Sequence, residues 1–223
     1  MYCGAKYYVI WFCLISLTTG PAVAGVPDLD NSYAECATSD PVMLLVVPDG
    51  SGDRLDNCQT LGGPRVDATI TLTLLDAVGD PVVNYPASDI WLVCPCPTWG
   101  YVPGGTIPDF DTDSNGQTQW SSALPAGGTN ESEFLIVSSA GTVPIPNAQI
   151  FSTSPDLNAS SKVDLTDVVL FATAYYAAGK EYNASVDFYF DGVLNLSDIV
   201  VLAQKYGANS PEADAFAFYY GPD

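Results

Sequence analysis

The sequence predicts a mainly β protein, an antiparallel sandwich of short strands, followed by a small all-α module of paired loop-helix units. Three observations predict it. The first part alternates apolar and polar residues with a period of two, with Gly and Pro between the runs. The last third repeats itself at a spacing of 31 residues, from Asp156 to Asp187. Each copy sets oxygen-bearing side chains at alternate positions of a loop and then changes to helical periodicity.

Residues 1–24 read as a secretory signal, with Lys6 as the positive start, Tyr7 to Leu17 as the apolar run and Ala22-Val23-Ala24 as the small-residue cleavage site. Cleavage is expected after Ala24. An uncleaved anchor is the alternative, although an apolar run much under about 20 residues spans a bilayer poorly. No later stretch is long and apolar enough for a transmembrane helix, so the mature chain is expected to insert in no membrane and to be secreted, extracellular or at a cell surface. Six Lys and Arg stand against 26 Asp and Glu, a formal charge of −20. That balance repels nucleic acid and anionic lipid, which bind basic surfaces. Outside the signal the cysteines are Cys36, Cys58, Cys94 and Cys96, which in an exported chain imply two disulfides. A Cys94–Cys96 bridge would close a strained ring around Pro95, so each is expected to pair with Cys36 or Cys58. A zinc site is the alternative, but C-x-C spacing without a second close pair or any His supports it poorly.

Residues 25–147 carry the strands. Val42 to Val47 is a continuous apolar run, the signature of a buried strand. Val66, Ala68, Ile70, Leu72 and Leu74 alternate with polar residues, which places one face on a core. Ile90 to Val93 and Phe134 to Val137 are further strands, and Asp49-Gly50, Gly79-Asp80-Pro81, Gly104-Gly105 and Asn115-Gly116 are turns. The stretch Asp76-Ala77-Val78-Gly79-Asp80-Pro81-Val82, followed by Thr112-Asp113-Ser114-Asn115-Gly116-Gln117-Thr118, resembles bacterial immunoglobulin-like (Ig-like) domains of the invasin and intimin type. The likeness covers roughly residues 40 to 140 and implies a scaffold or spacer.

Residues 148–210 carry the repeat. Asp156/Asp187, Leu165/Leu196, Asp167/Asp198, Ala172/Ala203 and Tyr175/Tyr206 are identical pairs at its register. A hard cation such as Ca2+ takes six to eight oxygens, which a twelve-residue loop supplies from positions 1, 3, 5, 7, 9 and 12. In the first copy these are Asp156, Asn158, Ser160, the carbonyl of Lys162, Asp164 and Asp167. In the second they are Asp187, Tyr189, Asp191, the carbonyl of Val193, Asn195 and Asp198, of which Tyr189 cannot serve as a carboxylate or amide ligand. Position 6 needs a sharp turn that Gly192 accommodates and Ser161 does not. Two Ca2+ sites are expected, and Mg2+, which demands a compact octahedron, is disfavoured. Asp164-Leu165-Thr166-Asp167 and Asn195-Leu196-Ser197-Asp198 form helix caps. Val168, Phe171, Ala172 and Tyr175 line one helix face and Ile199, Leu202, Ala203 and Tyr206 its counterpart, with Gly179 and Gly207 as stops and the two faces as each other's core. Acid-rich caps without metal are the plain alternative, although a cap uses one or two oxygens and leaves Asp156, Asp187 and Asp191 without a purpose.

Loop plus exiting helix, with no incoming helix, separates this pattern from an ordinary EF-hand and resembles the dockerin family. The resemblance implies a dockerin-like, EF-hand-related all-α module that binds a protein partner, a cohesin-like domain or a second copy, in attachment or assembly. The positions dockerins use for such recognition read Leu165-Thr166, Ala172-Thr173, Leu196-Ser197 and Ala203-Gln204 here.

The chain has no His, which excludes His-dependent triads, and no motif names an acid and a base, so a non-catalytic protein is expected. A small extracellular hydrolase using Asp109, Asp111, Asp113, Glu131 or Glu133 is one alternative. The other is a carbohydrate-binding protein, with polysaccharide stacked on Trp91, Trp99, Tyr101 and Trp120. The tail 211–223 is aromatic and carries no assigned role.

Overall fold

Val42 to Val47 is apolar at every position because the strand it forms is buried on both faces. The structure, a computed structural model, describes residues 25–61, 63–94, 99–101, 106–130, 134–138, 140–146, 148–177 and 182–210. Residues 1–24, expected to be a secretory signal, Cys96, Gly104-Gly105, Glu131, Glu133, Gly179 and the tail 211–223 lie outside the described residues. Strand β2 (Val42–Leu45) is fully buried along its length. Its even-numbered side chains Val42 and Leu44, continued by Val46, enter one core, and Met43 and Leu45, continued by Val47, enter another. Alternation of side chains along a strand makes such a two-faced partition possible.

The first core is enclosed by sheets. β1 (Tyr33–Cys36), β5 (Ile70–Thr73) and β8 (Gln117–Trp120) form one antiparallel sheet, with Ala34 opposite Leu72 and Leu72 opposite Thr118. β6 (Ile90–Val93), β10 (Leu135–Ser138) and β11 (Gly141–Pro144) form a second, with Ile136 between Leu92 and Val143. β12 (Ile150–Thr153), β2, β3 (Cys58–Gln59) and β4 (Arg65–Val66) form a third. Ile70, Leu72, Ile90, Leu92, Trp120 and Ile136 share this core with Leu44. A two-stranded ribbon pairs β7 (Trp99–Tyr101) with β9 (Ala126–Gly128).

The turns follow from Asp and Gly. Asp76 Oδ1 accepts the N–H groups of Val78 (3.0 Å) and Asp80 (2.9 Å), and Asp113 Oδ1 those of Asn115 (2.8 Å) and Gln117 (2.9 Å). Gly116 has φ +72, and a Cβ there would stand 2.4 Å from the Leu74 carbonyl oxygen, so only glycine closes this turn.

Residues 148–210 correct the expectation of an all-α, dockerin-like module: the chain is mostly β, and this segment joins it. β12 pairs parallel with β2, Ile150 opposite Val42 and Thr153 opposite Leu45. Among the described residues the α-helices are α1 (Leu165–Ala177) and α2 (Leu196–Lys205), with a short 3-10 helix at Ala184–Val186 between them. Two helices of 13 and 10 residues, each burying only a narrow face, enclose too little volume for a core of their own. Met43, Leu45 and Val47 supply the missing wall, against Val163, Phe171, Val186, Phe188, Phe190 and Leu202. The helices therefore bury against β2 and the loop aromatics rather than against each other alone.

Helix α2 is also rotated from expectation. Leu202 is buried, while Ile199, Ala203 and Tyr206 are exposed. The cause is Asp198, whose buried carboxylate fixes the inward side of the helix, so that the i, i+4 pair Asp198 and Leu202 faces in. Asp167 and Phe171 are the equivalent pair in α1. Gly207 ends α2 at φ +87.

The expected disulfides are corrected too. Cys36 and Cys58 are free thiols, and Cys94 is disulfide-bonded, so neither of them is its partner. Cys36 and Cys58 sit on the first core, where their thiols reach the Ala68 carbonyl (3.6 Å) and the Leu55 carbonyl (3.4 Å), while Cys94 follows β6 in another sheet. Burial pushes the Cys58 thiol up to about 12.

Candidate metal centre

The two loops turn left-handed at the same two positions. Positions 4 and 6 of the first, Ala159 and Ser161, have φ of 54 and 66, and those of the second, Phe190 and Gly192, have φ of 57 and 78. Two left-handed residues in one short loop fold its backbone inward, so that N–H groups and side-chain oxygens converge. The left-handed turn at position 4 carried no signal in sequence, since neither Ala nor Phe favours it.

Position 1 and position 12 meet at the centre of each loop. Asp156 Oδ1 accepts the Ser160 N–H at 2.9 Å and Asp156 Oδ2 the Ser161 N–H at 2.8 Å. Asp167 Oδ1 accepts from Leu157 N–H (2.8 Å) and Asn158 N–H (3.3 Å), and its Oδ2 from Asp164 N–H (2.8 Å). In the second loop Asp187 Oδ2 accepts the Gly192 N–H at 2.9 Å, Asp198 Oδ1 the Tyr189 N–H at 3.1 Å, and Asp198 Oδ2 the Asn195 N–H at 2.9 Å. All four carboxylates are 0% exposed.

The middle positions gather around them. Ser160 Oγ lies 3.4 Å from Asp156 Oδ1 and 3.2 Å from the Lys162 carbonyl oxygen, and Asn158 Oδ1 accepts the Ser160 N–H at 3.1 Å. Asn195 Nδ2 bridges Asp191 Oδ2 (3.2 Å) and the Val193 carbonyl (3.1 Å), a positive amide dipole where two oxygens approach each other. Position 9 also caps the helix: Asp164 Oδ1 accepts from Thr166 N–H and Asn195 Oδ1 from Ser197 N–H, each at 2.7 Å. Tyr189 is 54% exposed and contributes no side-chain oxygen to the loop. Among the described residues no three His, Cys, Asp or Glu side chains are drawn into one group that could hold a metal; each loop centres on two carboxylates supplemented by neutral oxygens.

Burial raises the proton affinity of Asp156, Asp167 and Asp198. It pushes Asp156 up to about 7, with the charge of Asp167 adding to the effect and the N–H donors of Ser160 and Ser161 opposing it. Asp167 and Asp198 are raised, again chiefly by desolvation. Among the described residues the ion pairs are Arg54–Asp56 and Arg65–Asp53, and neither involves a loop carboxylate.

Neighbouring elements complete the sites. Gly128 N–H donates to the Asp156 carbonyl at 2.7 Å, and a Cβ on Gly127 would stand 2.1 Å from Asp156 Oδ2, so the first loop rests directly on β9. Tyr182 OH donates to Asp187 Oδ2 at 2.9 Å, while Asp187 Oδ1 is buried with no partner. The copies interlock: Phe171 of α1 stacks on Phe188 of the second loop at 5.7 Å, and the chain after α2 returns to the first loop through Val163 N–H to Ala208 O (2.8 Å) and Gly207 N–H to Val163 O (2.9 Å).

A donor set of carboxylate, amide, hydroxyl and carbonyl oxygens, without sulfur or imidazole, fits Ca2+, and the orphaned Asp187 Oδ1 is an acceptor that a cation would satisfy. Asp156, Asn158, Ser160, the Lys162 carbonyl and Asp167 would hold one ion, and Asp187, the Val193 carbonyl, Asn195 and Asp198 the other. Asp164 caps the Thr166 N–H and Asp191 binds the Val193 N–H, neither making a third acid of its group. Of the aromatics expected to stack on sugar, the side chains of Trp99 and Tyr101 lie outside the described residues. Trp120 is 1% exposed in the first core and its Nε1–H donates to the Thr106 carbonyl at 2.8 Å. Asp109, Asp111 and Asp113 bind turn N–H groups at Ser121, Ala87 and Asn115. No described helix is long and apolar enough to cross a membrane.

No family model and no curated protein matches this chain. Among solved structures, that of Yersinia pseudotuberculosis InvD is similar over 58% of this chain and 30% of that chain, with 17% identity and a TM-score of 0.33. A likeness at that level carries no argument about this chain.

Proposed function

We propose that this is an exported, non-catalytic protein that binds two Ca2+ ions and uses the helices they order for attachment or assembly with a protein partner. One observation carries the calcium reading: Asp156, Asp167, Asp187 and Asp198 are fully buried, with no Lys or Arg paired to them among the described residues. A buried carboxylate without a counter-charge costs several kcal/mol, which N–H donors offset in part and protonation, an opposite charge or a metal offset further. Helix capping accounts for positions 9 and 12, and the loop N–H groups bound by Asp156 and Asp187 leave their negative charge without a counter-charge. A divalent cation supplies the missing charge to both loops at once and ties each helix to the chain before it.

The partner reading rests on what the helices leave exposed. Leu165 and Val169 on α1, and Leu196 and Val200 on α2, occupy equivalent positions of the repeat and are each more than half exposed. Paired i, i+4 apolar side chains on two ordered helices suit an apolar protein surface. Export rests on residues 1–24.

Thermal unfolding of the full chain tests the calcium reading. The melting temperature is expected to be higher in millimolar Ca2+ than in excess EDTA, with Mg2+ a weak substitute. Identical melting in both would refute it.

A further inference from the structure

Five residues ahead of position 1 the two copies carry an aromatic residue in the same register, Phe151 in the first and Tyr182 in the second. Only the second has a hydroxyl, and it donates to Asp187 Oδ2 at 2.9 Å, the oxygen that also accepts the Gly192 N–H. Both bonds fall on one oxygen, and Asp187 Oδ1 is left buried without a partner. The first copy is arranged otherwise: Ser160 and Ser161 occupy both oxygens of Asp156. The second copy also lacks an oxygen at position 3, where Tyr189 faces away and the first copy has Asn158. Thus the loop that lacks a ligand is the one whose position 1 carboxylate is held by a tyrosine hydroxyl from outside the loop, whereas Asp156 has only the loop's own Ser160 hydroxyl, at 3.4 Å.

The geometry points to Tyr182 as a positioning residue of the second calcium site, clamping one oxygen of Asp187 so that the other faces the ion and offsets the ligand Tyr189 does not supply. The inference rests on the calcium reading. A carboxylate fixed by two donors loses little rotational freedom when the ion arrives, whereas a carboxylate held by one must be ordered by the ion itself. Tyr182→Phe keeps the ring and its packing and removes the clamp alone.

Isothermal titration of the full chain with CaCl2 tests this, using wild type, Tyr182→Phe and Asp187→Asn. Losing a hydrogen bond to a charged group should weaken one of the two sites about tenfold. The site affected should be the one missing in Asp187→Asn, and the other should stay within about twofold of wild type, a change too small to reflect a lost contact. With ring-labelled tyrosine, the Tyr182 Cζ resonance should shift on calcium addition in wild type and stay in place in Asp187→Asn. Wild-type affinity at both sites in Tyr182→Phe overturns the inference, as does equal weakening of both, which marks a general loss of structure. A wild type that binds no calcium at all removes the calcium reading itself, and with it this inference.

Discussion

Ser161 occupies the sixth position of the first loop at φ 66, where the second loop has Gly192 at φ 78. A non-glycine residue held left-handed costs about 1–3 kcal/mol, and glycine there gives back about 0.5–1 kcal/mol through the entropy of the unfolded chain. Ser161→Gly is therefore expected to stabilise the protein by about 1 kcal/mol in urea denaturation. Asp156 makes the complementary point about charge. Its carboxyl, ordinarily near 3.8, is pushed up to about 7, so the folded chain without calcium binds a proton more tightly than the unfolded chain. Without metal, that proton's contribution to stability is complete below the ordinary value and disappears as pH rises through about 7. Calcium needs the deprotonated form, so protons compete with it. The rise in melting temperature on adding Ca2+ should shrink between about pH 8 and about pH 6, and a gain independent of pH would contradict this account of Asp156.

At the scale of elements, the loop-helix units were legible in the sequence because oxygen spacing, caps and a 31-residue register from Asp156 to Asp187 all point the same way. Their surroundings were not. The β7–β9 ribbon brings Gly100 and Gly127 opposite each other, beneath the first loop, through contacts distant in sequence. A Cβ on Gly127 would meet Asp156 Oδ2 at 2.1 Å and Ala159 Cα at 3.3 Å, and one on Gly100 the Ala159 Cβ at 2.7 Å. Gly127→Ala is expected to lower stability by about 1–3 kcal/mol through overpacking, and to weaken the first calcium site while sparing the second. Calcium titration of that variant checks it. The rotation of α2 escaped prediction for a related reason: hydropathy favours Ile199 inward, but the buried hydrogen bonds of Asp198 to Tyr189 and Asn195 set the helix phase.

At the scale of the whole molecule, the sequence pointed to a β-sandwich and to a separate helical module, and the separation was the error. Val42 to Val47 reads as a buried strand, yet nothing in the run says that its second face meets a separate core. The structure covers it with Phe171, Phe188, Phe190 and Leu202. The consequence is testable with neighbouring residues. Leu44→Ala and Leu45→Ala should each cost about 2–5 kcal/mol in denaturant. Leu44 belongs to the first core and Leu45 to the second, so only Leu45→Ala is expected to weaken calcium binding as well. The central claim is that two sets of buried oxygens each enclose a divalent ion, and native mass spectrometry of the full chain in calcium acetate tests it most directly. The account predicts two Ca2+ per chain, and one in each of Asp156→Asn and Asp187→Asn; a wild-type chain that carries no calcium would contradict it.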